Sequence, residues 1–177
     1  MLRVAVVGTS GAGKTTFARR LAQITDGVHV ELDAIHWQPN WVELPTEELR
    51  ELVSQAVAQE RWVIDGNYGK VRDLIWRRAT HVIWLNYPFL TVFTRVLFRT
   101  VRRLITREVL FAGNRESFRG TFLSRDSILW WTLTTYDRRR RQYRALFDQR
   151  DMPHLTMIEL RNQRQADRLL ASLQTRS

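Results

Sequence analysis

The sequence predicts an α/β fold, in which one parallel sheet is surrounded by helices, formed by a single domain over residues 1–177. Two observations support this prediction. Short apolar, β-branched segments alternate with longer amphipathic segments along the chain, as expected for repeated strand–helix units. A glycine-rich turn also joins the first apolar segment directly to a helical one, and such turns are typical of strand–helix units in parallel sheets.

The first half of the chain contains the clearest elements. Residues 2–7 are apolar and mostly β-branched, which indicates a buried parallel strand. Residues 16–24 place Phe17, Leu21 and Ile24 on one face of a helix. The same periodicities predict a strand at 28–32, a helix at 46–59, a strand at 61–64, a short helix at 71–78 and a strand at 81–85.

The second half begins with a long predicted helix at 89–105, whose core stripe is Phe89, Phe93, Val96, Leu97, Val101 and Leu104. Residues 106–125 have no regular pattern, and a segment of that length inside a compact domain is often a functional lid. A helix at 127–148 and a strand at 155–160 follow. Asn162 and Gln165 then form a capping box for a final helix.

Residues 8–15 contain a complete phosphate-binding loop with the pattern G-x-x-x-x-G-K-[ST], between a predicted strand and a predicted helix. Its glycines let the backbone turn successive N–H groups toward phosphate oxygens. Lys14 brings a charge to the β- and γ-phosphates, and the Thr15 hydroxyl is a ligand for Mg²⁺. The expected ligand is a nucleoside triphosphate, bound by Gly8, Ser10, Gly11, Ala12, Gly13, Lys14, Thr15 and Thr16.

The composition limits the remaining classes of function. The 28 basic and 18 acidic residues give a formal net charge of +10, which suits either a cleft for several phosphates or a nucleic-acid surface. The arginines lie on predicted helices and in the irregular segment, and this distribution favours the cleft. The chain has no cysteine, no secretory signal and no apolar stretch of the roughly 18–20 residues that cross a membrane. We therefore expect a cytoplasmic protein without a membrane partner.

Two carboxylates follow predicted strands. Asp65 ends the third strand, where phosphate-loop proteins hold Mg²⁺; the alternative is an aspartate that begins a turn at Gly66. Asp33 follows the second strand, so it should lie near the γ-phosphate and orient an acceptor hydroxyl or accept its proton; the alternative is a helix cap. His36 and Trp37 either shape the acceptor pocket or pack in the core. The four histidines are scattered singly, which argues against a zinc site.

Arginines are concentrated in the second half of the chain. One face of the 89–105 helix carries Arg95, Arg99, Arg102 and Arg103 without an acidic partner four positions away, so it either is merely solvated or binds an anion. The irregular segment continues the set with Arg107, Arg115, Arg119 and Arg125. Lid arginines can close over transferring phosphates, and Arg115 and Arg119 are the predicted catalytic ones. The run at 138–141 predicts a solvated helix face, with nucleic-acid contact as the alternative.

The phosphate loop, the segment LDAIHW at 32–37, the segment WVIDGNY at 62–68 and the arginine-rich lid together resemble the adenylate-kinase-like phosphate-loop proteins. Within these, the chain is most similar to the small bacterial DNA topology modulation proteins. The resemblance implies a three-layer α/β/α P-loop fold with a five-stranded parallel sheet in the order 2-3-1-4-5 and helices on both faces. It further implies an acceptor-covering segment at about 33–60 and a mobile lid at about 106–125.

The resemblance also implies roles for the segments that follow the strands. Asp65 and Gly66 match the start of an adenylate-kinase segment that ends in an acceptor-binding arginine, but Gly69 occupies that position here, and Lys70 or Arg72 would replace the arginine. The Asp33 segment is more similar to uridine- and riboside-kinase relatives, whose aspartate meets the acceptor hydroxyl. These departures argue against AMP as the acceptor. The acceptor-binding residues predicted in this way are Asp33, His36, Trp37, Asn67, Tyr68 and Arg72.

The main hypothesis is an ATP- and Mg²⁺-dependent kinase for a small acceptor, with nucleosides and nucleotides among the candidates. Lys14 and the lid arginines would stabilise the transferring phosphoryl group, and Thr15 and Asp65 would hold the metal. Asp33 would orient the acceptor hydroxyl or accept its proton. A nucleotide-binding regulatory protein that modulates DNA topology by binding nucleic acid is the alternative from another class. A slow ATPase, in which water is the acceptor, is a third hypothesis. The sequence does not indicate an oligomeric state.

Overall fold

A computed structural model describes residues 2–114, 128–149 and 152–175. Its strands are β1 (Arg3–Gly8), β2 (Val28–Glu31), β3 (Trp37–Gln38), β4 (Val42–Glu43), β5 (Trp62–Asp65), β6 (His81–Leu85) and β7 (Thr156–Leu160). Five of them form a parallel sheet in the order β2-β5-β1-β6-β7, and β3 and β4 form a separate antiparallel hairpin. Counted within the main sheet alone, this order is the expected 2-3-1-4-5.

Helices cover both faces of the sheet. They are α1 (Lys14–Ile24), α2 (Leu32–His36), α3 (Thr46–Ala58), α4 (Arg72–Arg78), α5 (Phe89–Thr106), α6 (Ile128–Gln149) and α7 (Gln163–Gln174). Side chains alternate along β1, so that Val4 and Val6 pack in one core with α1 and α7. Ala5 and Val7 pack in a second core with α3 and α4. The predicted three-layer α/β/α fold is therefore confirmed.

The observed boundaries differ from the predicted ones by a few residues. The strand expected at 28–32 ends at Glu31, because Leu32 already begins the short helix α2. The β3–β4 hairpin is not predicted, because strands of two residues are too short to show an alternating pattern. Asn162 caps α7 by accepting a hydrogen bond from the N–H of Gln165 at 3.0 Å, whereas the Gln165 side chain accepts the N–H of Arg161.

The core stripe predicted for α5 is wrong in part. The residues of α5 that are buried are Val92, Val96 and Thr100, whereas Val101 is 38% exposed. The helix is rotated in this way because it packs against the phosphate loop. A Cβ atom at Gly11 would lie 2.7 Å from the carbonyl oxygen of Val92 and would overlap the Val96 side chain, so only glycine fits here. No helix in the described part of the chain is long and apolar enough to cross a membrane.

Glu159 connects three elements at the carboxyl end of the sheet. Its carboxylate accepts hydrogen bonds from Asn86 after β6, from Arg144 in α6 and from Arg161 after β7. Burial alone would raise the pKa of Glu159, but the hydrogen bonds from Arg161, Asn86 and Arg144 outweigh burial and lower that pKa to about 2. The carboxylate is therefore stabilised in its charged form by the fold.

We expect this network to contribute to stability at neutral pH and to fail in acid. Because the folded-state pKa lies below the usual value of 4.5, the contribution is complete above about pH 4.5 and is lost as the pH falls toward 2. Glu159→Gln should lower the free energy of unfolding at pH 7 by about 1–2 kcal/mol, after allowance for solvent screening. Urea denaturation between pH 3 and pH 7 measures this effect. The exposed Glu60→Gln is the control, and equal losses in the two variants would contradict the prediction.

Candidate active site

The phosphate-loop motif lies at the carboxyl end of the central strand β1 and leads directly into α1. Gly11 and Gly13 have backbone φ angles of +80° and +87°, which residues other than glycine rarely adopt. The side-chain amide of Asn67 holds the first residue of the loop, because its Oδ1 accepts the N–H of Gly8 at 3.2 Å and its Nδ2 donates to the Gly8 carbonyl. The loop therefore has the backbone shape that the motif requires.

Lys14 begins α1 and donates from Nζ to the carbonyl oxygen of Thr9 at 3.3 Å. Desolvation lowers the pKa of Lys14, while the nearby charges of Asp33 and Asp65 oppose that change. The positive charge of Arg99 on α5 adds to the lowering. The ammonium group is therefore desolvated beside two carboxylates, in a setting where its charge interacts strongly with an anion.

Three oxygen-bearing side chains meet behind the loop. Thr15 Oγ1 lies 2.8 Å from Asp65 Oδ2 and 3.1 Å from Glu31 Oε1. Since the hydroxyl has one proton, it donates to only one of these carboxylates at a time. Burial and the charge of Asp65 raise the pKa of Glu31. Hydroxyl and carboxylate oxygens are the ligands that Mg²⁺ prefers, so the donor set fits this metal.

Glu31 and His29 also belong to this site, although no motif in the sequence singles them out. Glu31 is the register partner of Asp65 in the neighbouring strand, and His29 Nε2 lies 2.7 Å from Asp65 Oδ1. His29 and Glu31 are two residues apart in β2, so they project from the same face of the sheet. In residues 2–114, 128–149 and 152–175, no three histidine, aspartate or glutamate side chains are grouped to hold a metal ion. Mg²⁺ is commonly held by one or two carboxylates together with water and phosphate.

Asp33 lies in the first turn of α2, and Tyr68 donates its hydroxyl hydrogen bond to Asp33 Oδ1 at 2.6 Å. Burial, together with the charge of Asp33, raises the pKa of Tyr68. His36 is 3% exposed, and its ring contacts the rings of Trp37 and Tyr68 at centroid distances of 4.9 Å and 4.5 Å. Desolvation lowers the pKa of His36. The structure thus brings four of the predicted acceptor-binding residues together.

Asn67 has a different position from the one expected of an acceptor ligand. Besides its two bonds to Gly8, its Oδ1 accepts the hydroxyl of Tyr143 at 2.8 Å. Arg139 also donates to the backbone carbonyl of Asn67 at 3.2 Å. The side chain is therefore occupied, which favours a role in positioning the phosphate loop over the predicted contact with an acceptor.

A cavity of about 240 Å³ opens beside Tyr68. Its floor is apolar and includes Leu32, Ile64 and Trp76, whereas Arg72, Arg138, Arg139, Gln142 and Tyr143 supply its polar wall. The prediction that residues 138–141 form a solvated helix face is wrong for Arg139, which is half-buried and bonded to Asn67, whereas Arg138 lines the cavity and is also exposed. Arg140 and Arg141 are exposed, as expected. The orientation of α6 against the sheet decides this difference, and the sequence does not reveal it.

The arginines of α5 do not all face solvent. Arg95 donates to the carbonyl oxygen of Ala12 in the phosphate loop at 3.5 Å, and its guanidinium lies 5.2 Å from the centroid of the Tyr87 ring. Arg102 and Arg103 pair with Glu108, an acidic partner outside the helical spacing, at 3.4 Å and 3.7 Å. Arg107 directly follows the helix and has a φ of +48°. Three of the predicted lid arginines, Arg115, Arg119 and Arg125, lie outside the described residues.

Asn114, which lies within the predicted lid at 106–125, forms hydrogen bonds with the β3–β4 hairpin. Its Oδ1 accepts the N–H of Trp41 at 3.1 Å, and its Nδ2 donates to the carbonyl oxygen of Gln38 at 2.8 Å. Trp41 has a φ of +58°, which is unfavourable for an aromatic residue. The Asn114 side chain is buried, and its two hydrogen bonds hold the hairpin in this conformation.

No protein-family model matches the chain, and no curated protein matches it in sequence. Solved structures are similar over almost the whole chain. A shikimate kinase from Bacteroides thetaiotaomicron has a TM-score of 0.57 at 16% identity and covers 98% of this chain and 97% of its own. A shikimate kinase from Acinetobacter baumannii in complex with shikimate has the same TM-score and identity and covers 98% and 91%. A gluconokinase from Sinorhizobium meliloti has a TM-score of 0.53 at 17% identity and covers 99% and 94%.

These matches confirm the predicted α/β P-loop fold, and the three structures named here are two shikimate kinases and a gluconokinase. At such low identity the similarity concerns the fold alone. It does not support the more specific resemblance to DNA topology modulation proteins.

Proposed function

We propose that this protein is an ATP- and Mg²⁺-dependent phosphotransferase that phosphorylates a hydroxyl group of a small acceptor. One observation carries the proposal: a phosphate loop, an oxygen cluster of Thr15, Asp65 and Glu31, and the Asp33–Tyr68 pair converge at one edge of the sheet. Phosphoryl transfer depends mainly on positioning and on charge stabilisation, and these groups supply both. Similar solved structures that are small-molecule kinases add support.

In the proposed reaction, the loop N–H groups and Lys14 bind the phosphates of ATP. The acceptor hydroxyl oxygen attacks the γ-phosphorus, the bond to the β,γ-bridging oxygen breaks, and ADP leaves. Asp33 orients the hydroxyl and accepts its proton. Thr15, Asp65 and Glu31 would hold Mg²⁺, which neutralises charge on the phosphates. Tyr68 holds the Asp33 carboxylate in place through its hydrogen bond.

The chain would act as a single domain, with residues 33–60 covering the acceptor and residues 106–125 forming a lid. The contact of Asn114 with the β3–β4 hairpin supports a connection between these two segments. Arg115 and Arg119 remain the proposed catalytic arginines of the lid, and closure over the phosphates would exclude water.

Incubation with γ-labelled ATP and Mg²⁺ tests the proposal. The panel should contain nucleosides, nucleotides, sugars, hydroxy acids and sugar phosphates. We expect label on at least one organic acceptor, and we expect the transfer to stop when EDTA removes Mg²⁺. Release of label only as inorganic phosphate would instead indicate an ATPase that uses water as its acceptor.

A nucleic-acid-binding regulator is the second candidate, and the net charge of +10 is the observation that favours it. Such a protein should bind duplex DNA with an affinity that falls steeply between 50 and 200 mM salt, as expected when bound counterions are released. Fluorescence anisotropy with and without ATP measures this behaviour. Absence of binding at 50 mM salt would exclude this candidate.

A further inference from the structure

The cavity beside Tyr68 has a positively charged wall. Arg72, Arg138 and Arg139 line it, and among the described residues no aspartate or glutamate does. Arg72 lies on α4 with its guanidinium 5.7 Å from the centroid of the Trp76 ring, whereas the other two arginines lie one after the other on α6. Two separate helices therefore direct cations at the same small space.

Two of these cations, Arg72 and Arg138, have no carboxylate partner in the part of the chain that the structure describes. Arg139 is held differently, because it donates to the backbone carbonyl of Asn67. Like charges that surround one cavity repel each other, and an anion bound between them would relieve this repulsion. Guanidinium groups also match the planar, two-oxygen geometry of carboxylates and phosphates.

The cavity adjoins the proposed site of chemistry. Tyr68 lines the cavity and at the same time donates its hydrogen bond to Asp33. Asp33 itself does not line the cavity, so a molecule that binds the arginines would have to extend past Tyr68 to bring a hydroxyl group to Asp33. The volume of about 240 Å³ is below the range of roughly 300–1,000 Å³ that is typical of ligand pockets, which favours a compact molecule.

We infer that the acceptor is a compact hydroxylated oxyanion, whose carboxylate or phosphate binds Arg72 and Arg138 while its hydroxyl meets Asp33. This inference rests on the proposed phosphotransferase function and specifies its substrate class. The apolar floor of Leu32, Ile64 and Trp76 contacts the carbon skeleton between the two polar ends. A neutral polyol would leave the guanidinium groups without a partner, so the site selects against it.

Binding measurements with three matched probes test the inference. D-ribose, D-ribonate and D-ribose 5-phosphate share a hydroxylated skeleton and differ in being neutral, a carboxylate and a phosphate ester. Each is titrated calorimetrically into the wild-type protein and into Arg72→Gln and Arg138→Gln, with the phosphate loop saturated by a non-hydrolysable ATP analogue and Mg²⁺. Arg141→Gln is the matched control, because Arg141 lies on the same helix and is exposed like Arg138, but does not line the cavity.

We expect at least one anion to bind about tenfold more tightly than ribose, and each cavity variant to weaken that anion by about tenfold. Arg141→Gln should bind it like the wild-type protein. Whether ribonate or ribose 5-phosphate gains more distinguishes a carboxylate from a phosphate ligand. The inference is overturned if neither anion is preferred over ribose, or if both cavity variants bind the anion normally. Thermal unfolding of each variant shows that the fold is retained.

The two proposals can fail separately. Anion binding that depends on Arg72 and Arg138, without transfer of label to any acceptor, would support the anion site and remove the phosphotransferase function. Efficient phosphorylation of neutral acceptors alone, at rates unchanged in Arg72→Gln and Arg138→Gln, would support the phosphotransferase function and remove the anion site.

Discussion

Replacing Lys14 with methionine should lower kcat for phosphoryl transfer by about 100- to 1,000-fold, the usual cost of removing one preorganised group that stabilises transition-state charge. Its ammonium is desolvated at the loop beside Asp33 and Asp65, so its charge acts strongly on the phosphates. Lys14→Arg should recover little of the loss, because a planar guanidinium does not fit a site shaped for a compact ammonium group. The measurement is kcat with the best acceptor of the label-transfer panel.

Arg19→Met is the control for this change. Arg19 lies on the same helix, is exposed and carries the same charge, so its replacement should leave kcat near the wild-type value. Similar losses in the Lys14 and Arg19 variants would show that the loss reflects net charge or helix stability, and the catalytic role of Lys14 would then be withdrawn.

Asp33→Asn should lower kcat by about 100- to 10,000-fold and leave the Kd for ATP within about twofold of wild type. The amide has nearly the same shape, but it cannot accept the proton of the acceptor hydroxyl. Tyr68→Phe is the matched variant, since it removes the hydrogen bond to Asp33 and keeps the carboxylate. We expect a loss of about tenfold or less for Tyr68→Phe, because one positioning bond disappears while the base remains.

Comparing kcat and stability between Asp33→Asn and Tyr68→Phe distinguishes a role of Asp33 in the reaction from a role in holding the fold together. Asp33 does not cap α2, because it lies within the helix and the helix has no side-chain cap bond. If its bond with Tyr68 serves only to stabilise the fold, both variants lose stability and neither changes kcat selectively. Equilibrium unfolding in urea, measured beside the kinetics, distinguishes these cases. Equal kcat in Asp33→Asn and the wild-type protein would contradict the assignment of Asp33 to the acceptor.

Local patterns were sufficient to predict the fold and the phosphate loop. The strands are short apolar runs, and the loop motif is contiguous, so neither prediction depends on distant residues. Glu31 and His29 were missed because their significance comes from the pairing of β2 with β5, which places Glu31 beside Asp65. With the strand order assumed, the sequence does contain a signal for Glu31: β2 and β5 are neighbours, and each ends in a carboxylate.

Other parts of the site depend on tertiary packing that the sequence does not show. Periodicity identifies α6 as a helix, but only its packing against the sheet buries part of Arg139 beside Asn67 and leaves Arg141 exposed. Similarly, α5 was expected to bury Val101, but its close approach to Gly11 selects the face that contains Val96. Asn67 was expected to contact a ligand, and its bonds to Gly8 became visible only in three dimensions.

The two hydrogen bonds of Asn114 have a thermodynamic consequence. They join the hairpin that follows α2 to the turn that follows α5, so a shift of one segment carries the other with it. Any ligand that favours one position of the hairpin therefore also favours one position of the turn. If a bound nucleotide shifts α5, it changes the affinity of the protein for a second substrate at the hairpin. By thermodynamic linkage, the second substrate then changes the affinity for the nucleotide by the same factor. The two substrates would then bind cooperatively through a single asparagine side chain.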